Sequence, residues 1–492
     1  MSKNNLTARV LSDTFKSLSW MGISKVISQL FTWSVTIYVA RILTPTDYGL
    51  MGMAGLLIAF FFMFNDLGLA QAIIQADNVT EEALSSVFWF ILGISFVFYA
   101  LTWLLAPFIA SFYRNPALVQ LIVVMGINFI IGGVRTVPIN LLAKEMRFSQ
   151  KARIDLIATI TASSQSLLLV TLGMGVWTLI FGAITVQLMT TTLAYVYYPW
   201  KPKFHMRFAE IKSLLNFGWK ITASTLLWYF YRNSDLMIIG RLLGERVTGI
   251  YSMAFYLSKL PVSKISGTLN QVFYPALSRL KNNEDEFKQY LLMMTKLISN
   301  ISIPIFIFLT INADSIFNLF LTEKWVEAIL PFQILCFVGC LRSVMVLFPH
   351  VLNAKNVPEK NLIYNGICTL FLPLGFIFGA SYGIKGIAGA WAILYPLCSI
   401  YLLRQTSKQI GMTLVSFAAE FDAQFFLAIA HFAGQMIFSF LYFDYFSSRF
   451  VYLIFQSLIA VTTQLLFISR LYPGFISNPL RFLKEVTLTS YS

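Results

Sequence analysis

Fourteen apolar runs are the feature that most constrains this chain. They fall at about 18–40, 50–75, 84–109, 118–142, 155–173, 176–199, 214–239, 248–275, 290–312, 328–350, 361–381, 386–403, 417–441 and 449–469. A helix crosses the hydrocarbon of a bilayer with about 20 apolar residues, and each run is close to that length. Fourteen crossings use most of the 492 residues and leave connections too short to hold a soluble domain. Composition agrees: 57% of residues are hydrophobic and 12% charged, against roughly 25% charged in a soluble chain. Disorder requires the opposite bias. The expected fold is an all-α polytopic membrane protein of about 14 transmembrane helices.

Lysine and arginine orient that map. Of 36 such residues, 21 fall on the side of the N-terminus, in segments such as 143–154, 200–213 and 278–289. Seven lie on the other side (Arg41, Arg114, Arg241, Arg246, Lys324, Lys385 and Arg449) and eight lie within spans. The threefold bias places both termini in the cytoplasm. The N-terminal stretch reads as a short cytoplasmic helix leading into the first crossing, not as a signal peptide. One connection dissents, because DNVTEE (77–82) is acidic yet cytoplasmic in this arrangement. Acidic residues count for little in the rule.

The chain repeats itself. RILTPTDYGLMGMA (41–54) aligns with RLLGERVTGIYSMA (241–254) at an offset of 200, pairing Arg41 with Arg241 and Gly49 with Gly249. PINLLAK (138–144) aligns with PHVLNAK (349–355), and GVWTL (175–179) with GAWAI (389–393). Ordered matches of this kind indicate duplication of a six-helix unit. The expected division is 1–200, 201–410 as its repeat, and 411–492 with two extra helices. Six spans separate the copies, so both have the same orientation, the parallel-repeat arrangement of some transporters.

An ionisable residue at mid-bilayer costs at least about 2.5–3.5 kcal/mol, so by default it faces the protein interior and has a function. The eight in-span bases are Lys25, Arg135, Lys220, Arg232, Lys259, Lys264, Lys296 and Arg342, with Asp66 and Asp235 the chief acids. At 100° per residue, Lys25, Gln29, Thr32 and Thr36 line one face of the first span. Ser252, Tyr256, Lys259, Ser263, Ser266 and Asn270 line one face of the eighth, and Asn216, Lys220, Tyr231, Ser234 and Asp235 a broader face of the seventh. In the second span, FNDLGLAQ suggests a local break around Asp66 and Gly68.

Two readings compete for these seams. Pairs such as Lys25–Asp66 or Arg232–Asp235 would simply lock helices together. The excess of bases argues instead for an anionic ligand, with phosphate a natural candidate. Lys264, Lys296 and Arg342 are placed near span ends, where snorkelling is easy. Trp228, Tyr229 and Tyr231 are candidates for stacking on sugars. Cys336, Cys340, Cys368 and Cys398 all lie in apolar segments and read as packing. No metal-ligand spacing, phosphate-cradling loop or nucleophile motif occurs, so no enzyme activity and no cofactor are expected.

VARILTPTDYGLMGMAGLL (39–57), FNDLGLAQAIIQ (64–75), IGGVRTVPINLLAKEMRF (131–148) and GMGVWTLIFGAI (173–184) together resemble the polysaccharide flippases of the multidrug/oligosaccharidyl-lipid/polysaccharide exporter superfamily. The resemblance implies two six-helix bundles in a V around a central cavity lined by spans 1, 2, 7 and 8. It implies a flippase of the bacterial inner membrane that moves an undecaprenyl-diphosphate-linked oligosaccharide by alternating access. Its partners would be that glycolipid, membrane lipids and polysaccharide polymerase or export machinery, with no nucleic acid. A coupling ion, H+ or Na+, is left open. Lys25, Lys220 and Lys259 would then hold the diphosphate or acidic sugars, with Asp66 and Asp235 orienting them or carrying the ion. Gln29, Arg135, Arg232 and Tyr256 would line the path; Arg41, Gly49, Gly68, Arg241 and Gly249 would be structural. The alternatives are a drug/cation antiporter of the same superfamily, which wants acid-rich seams, and a membrane polymerase or ligase, which wants a large outer loop.

Overall fold

The computed structural model describes the backbone of residues 29–65, 69, 73, 80–442, 446 and 448–471, and their side chains except at 65, 208–228, 266–272, 274 and 468–471. All regular structure in these residues is helical. The first unit holds α1 (29–42), α2 (Pro45–Asn65), α3 (Glu81–Tyr113), α4 (Leu118–Lys144), α5 (Phe148–Thr171), α6 (Trp177–Tyr197) and the beginning of α7 (Phe208–Arg279). The second holds the rest of α7, then α8 (Glu284–Ile311), α9 (Ala313–Phe320), α10 (Ile329–Met345), α11 (Phe348–Ala354), α12 (Pro358–Ala380), α13 (Gly383–Gln409), α14 (Leu414–Ala419), α15 (Asp422–Tyr442) and α16 (Arg449–Leu471). The two compact units are 1–249 and 250–492.

Among the described residues, eleven helical stretches are long and apolar enough to cross a membrane. They coincide with eleven of the fourteen expected runs. The other three, 18–40, 214–239 and 248–275, lie over α1 and α7, which are described only in part. The chain is a multi-pass membrane protein. Proline occurs inside α3, α4, α8, α12 and α13 (Pro107, Pro138, Pro304, Pro373 and Pro396), as membrane helices tolerate where neighbours re-satisfy the freed carbonyls. The short connections between α5 and α6 and between α12 and α13 are glycine turns: Gly173, Gly175 and Gly383 all have positive φ.

In the first unit, α2 packs its Met53, Ala54, Ile58 and Phe61 against α3 and α4 around Phe129. In the second, α12 pairs with α13, and α10 lies against α8 and α13. The peripheral pair α15 and α16 rests on α8; each has a span window only 17% buried, so most of its surface is left for lipid.

The dissenting acidic connection has a physical explanation. Thr80 caps α3 by accepting a hydrogen bond from Ala83 N at 3.2 Å, and Glu81 and Glu82 occupy its first turn, where the helix dipole favours anions. The segment 198–207 straps across this end. Trp200 Nε1 donates to Glu81 at 3.1 Å, Lys203 pairs with Glu82 at 3.3 Å, and Ser85 and Ser86 accept from the backbone of Lys203 and Arg207. Tyr198 then donates to Glu145 at 2.6 Å, and Glu145 pairs with Arg147. Burial, reinforced by that bond to Glu145, pushes the Tyr198 hydroxyl up to about 12, so it keeps its proton and remains a donor. Residues 81–82, 145–147 and 198–207 therefore share one end of the unit. Two of the three are basic connections, and the acidic one is their partner.

The backbone also repeats. After α4, Met146 is left-handed, with Met146 N bonded to Ala143 O and Arg147 N to Leu142 O. After α11, Asn356 is left-handed, with Asn356 N bonded to Asn353 O and Val357 N to Leu352 O. These bonds match at an offset of 210, one residue from the 211 of the neighbouring sequence match.

Candidate functional site

The best-defined part of the site is where the two copies of the repeated motif meet. Gly49, in the first turns of α2, lies against the backbone of Glu245. A Cβ at Gly49 would stand 1.8 Å from Glu245 O, and a Cβ at Gly249 would stand 1.6 Å from Pro45 O. At the offset of 200, Pro45 corresponds to Glu245 and Gly49 to Gly249. The contact is thus reciprocal, a small local two-fold built from two diverged sequences. Small residues at such a crossing let helix backbones approach until only hydrogen fits between them.

Each copy turns into this crossing differently. In the first, Thr44 Oγ1 accepts from Asp47 N at 3.3 Å while Asp47 Oδ2 accepts from Thr44 N at 2.8 Å, with Pro45 at the first helical position. This is a capping box with Asp in the Glu position. In the second, Gly244 stands where Thr44 stands and breaks α7 with φ 83° and ψ 177°, a conformation essentially confined to glycine.

Beyond the crossing, α7 runs along α2. Tyr229 donates its hydroxyl to Leu56 O, and Phe60 packs on the rings of Tyr229 and Phe230 at 5.9 and 5.7 Å. Tyr231 is buried. The expectation that Tyr229 and Tyr231 stack on sugars is corrected: Tyr229 is half-buried with its hydroxyl committed to Leu56 O, and the Tyr231 ring is buried. Trp228 lies outside the described side chains. Arg241 places its guanidinium 5.4 Å over the Phe112 ring.

The expected site residues distribute as follows. Lys25, Asp66 and Gly68 lie outside the described residues; Lys220 is helical, with its side chain outside them. Gln29 is half-buried at the start of α1, and Arg41 is exposed at its far end. Arg232 is half-buried, while Asp235, one turn on, is 2% exposed and accepts from Leu236 N at 2.7 Å. Arg135 is half-buried in α4 and feels the charge of Asp155 on the next helix. Tyr256 and Lys259 belong to the second unit, the former exposed and the latter half-buried. The first unit thus gathers Arg232, Asp235, Arg241 and the glycine crossing onto α7 and its neighbours.

Among the other in-span bases, Lys296 is paired with Glu420 at 2.7 Å. Among the described residues, no group of three or more His, Cys, Asp or Glu is arranged to hold a metal.

The sequence matches the profile of the family described as polysaccharide biosynthesis protein over residues 38–330, more than half the chain. The chain belongs to that family. The teichuronic acid biosynthesis protein TuaB of Bacillus subtilis is 23% identical over 89% of this chain and 96% of its own length. The lipopolysaccharide biosynthesis protein WzxC of Escherichia coli is 25% identical over 76% of this chain and 77% of its own. Among solved structures, the lipid II flippase MurJ in an inward closed conformation superposes with a TM-score of 0.74, covering 93% of this chain and 99% of MurJ at 15% identity. That identity speaks for shared architecture alone. The matched region spans the glycine crossing, the α2–α7 packing and both Arg232 and Asp235, so the family assignment covers the first unit's part of the site.

Proposed function

We propose that this family member is a flippase that carries lipid-linked oligosaccharide repeat units across the membrane by alternating access, for assembly of a surface polysaccharide. The observation that carries the reading is the family match over 38–330, on a chain with the architecture of a lipid II flippase. The excess of bases over acids within the spans supports an anionic head group. The carrier lipid in this reading is undecaprenyl diphosphate, and the membrane is the bacterial inner membrane with both termini cytoplasmic. The Gly49–Gly249 crossing then lies at the outer ends of spans 2 and 8. Lys25, Lys220 and Lys259 hold the diphosphate or acidic sugars. Asp66 and Asp235 orient them or carry a coupling ion. Gln29, Arg135, Arg232 and Tyr256 line the path, and 201–410 repeats 1–200. The chain performs no bond chemistry itself; a polymerase or export machinery acts on what it delivers.

The test is a deletion strain whose lipid-linked intermediates are analysed by mass spectrometry. The repeat unit should accumulate unpolymerised and disappear when the wild-type gene is restored. A triple K25A/K220A/K259A variant at equal membrane level should fail to restore the polymer. Normal polymer in the deletion strain sinks the function; normal polymer with the triple variant sinks the site. Transport of a cationic dye by the purified protein would favour the antiporter instead.

A further inference from the structure

Arg342 was expected near a span end, within reach of the interface. In the structure its guanidinium is set among aromatic rings. Its helix α10 is part of one apolar stretch, Glu323–Ala354, 32 residues long, and the turn at 346–347 passes straight into α11. Arg342 stands twelve residues before Ala354 in that stretch.

Three aromatic rings hold it there. Its guanidinium carbon lies 4.0 Å from the ring centroid of Trp391, 5.2 Å from that of Tyr395 and 5.5 Å from that of Phe255. Trp391 is 0% and Tyr395 6% exposed, one turn apart on α13. They are a fixed wall, too buried to stack on a sugar. Cation–π attraction, even when desolvated, offsets only part of the cost of removing a lone ion from water. The rings therefore orient the charge without neutralising it.

Among the described residues, no carboxylate pairs with Arg342, and its side chain donates no hydrogen bond. Arg342 is half-buried, so part of its side chain remains accessible. A guanidinium stacked on one face against an indole keeps its edge N–H groups in plane. That is the geometry for bidentate binding of a carboxylate or phosphate.

We propose that Arg342 is the anion-binding residue of an oxyanion site inside the second unit, taking a phosphate or carboxylate group of the carried glycolipid. Trp391 and Tyr395 act as positioning residues that hold the guanidinium edge-on. The proposal rests on the flippase reading for the identity of the ligand, but binding itself is measured without transport.

The full-length protein in nanodiscs of zwitterionic lipid is titrated with geranyl diphosphate, with glucuronate, and by doping the nanodiscs with phosphatidylglycerol. The signal is Trp391 fluorescence, taken as the difference between wild type and W391F. A saturable response to geranyl diphosphate or glucuronate is expected. R342Q should weaken it at least about tenfold, the equivalent of one or two charged hydrogen bonds. R342K, which keeps the charge but not the stacked fork, should fall between them, and this series separates lost binding from lost folding. Equal affinity in R342Q overturns the site, as does a response confined to phosphatidylglycerol, which would assign the oxyanion to membrane lipid. Intact, Arg342-dependent binding in a protein that exports no glycolipid would sink the flippase reading and leave this site standing.

Discussion

The turns at Thr44–Gly49 and Gly244–Gly249 descend from one repeated motif and reach the same contact by different chemistry. The first starts a new helix with a capping box and a proline. The second interrupts a helix at one glycine, after which Thr248 Oγ1 bonds back to Gly244 O at 2.7 Å. Only the crossing glycine is common to both. The comparison teaches that the close approach of two backbones constrains the sequence more tightly than the turn that leads to it. A turn can be made from capping side chains or from glycine, whereas nothing but hydrogen fits at the crossing.

The largest effect should come from the crossing itself. Gly249→Ala and Gly49→Ala each drive a methyl into an opposing carbonyl, which no side-chain rotation relieves. Each should cost about 3 kcal/mol or more, seen as a large fall in melting temperature in detergent and loss of polymer export. Equal losses sharpen the local two-fold; a tolerated alanine at either position breaks it. Next comes Gly244→Ala, which forces a methyl-bearing residue into backbone space reserved for glycine. A destabilisation of about 1–3 kcal/mol is expected, with no counterpart from any single change at Thr44. Asp47→Ala removes one half of the capping box and should cost about 1 kcal/mol. Smallest is Thr44→Gly, at a few tenths of a kcal/mol, because glycine is itself an acceptable N-cap. A Thr44→Gly loss as large as that of Gly244→Ala would show that the two turns are not alternatives.

Much of the architecture was legible beforehand because the bilayer imposes it: an apolar run of the right length has few other fates. That Gly49 and Gly249 occupy matching positions was legible too, though their contact was not. The acidic connection at 77–82 misled only in isolation. Its partner, the strap at 198–207, lies more than a hundred residues away, and no local pattern announces it. Tyr229 and Tyr231 teach a related lesson. Periodicity shows that a face exists, not whether it meets a ligand or, as with Tyr229, the carbonyl of Leu56. The rings around Arg342 were not legible either, because Trp391 and Tyr395 on α13 are remote from it in sequence.

The sequence by itself determined that this chain lives in a membrane, how many apolar runs it offers, that a short motif recurs at an offset of 200 and that its apolar runs carry more bases than acids. Each of these is a local or additive property, set by transfer free energy and periodicity. Tertiary structure alone decided which glycines touch, which tyrosines are spent on packing, and which in-span base is paired, as Lys296 is by Glu420, or set over aromatic rings, as Arg342 is. Those outcomes depend on what arrives opposite a side chain, and only packing between distant helices sets that.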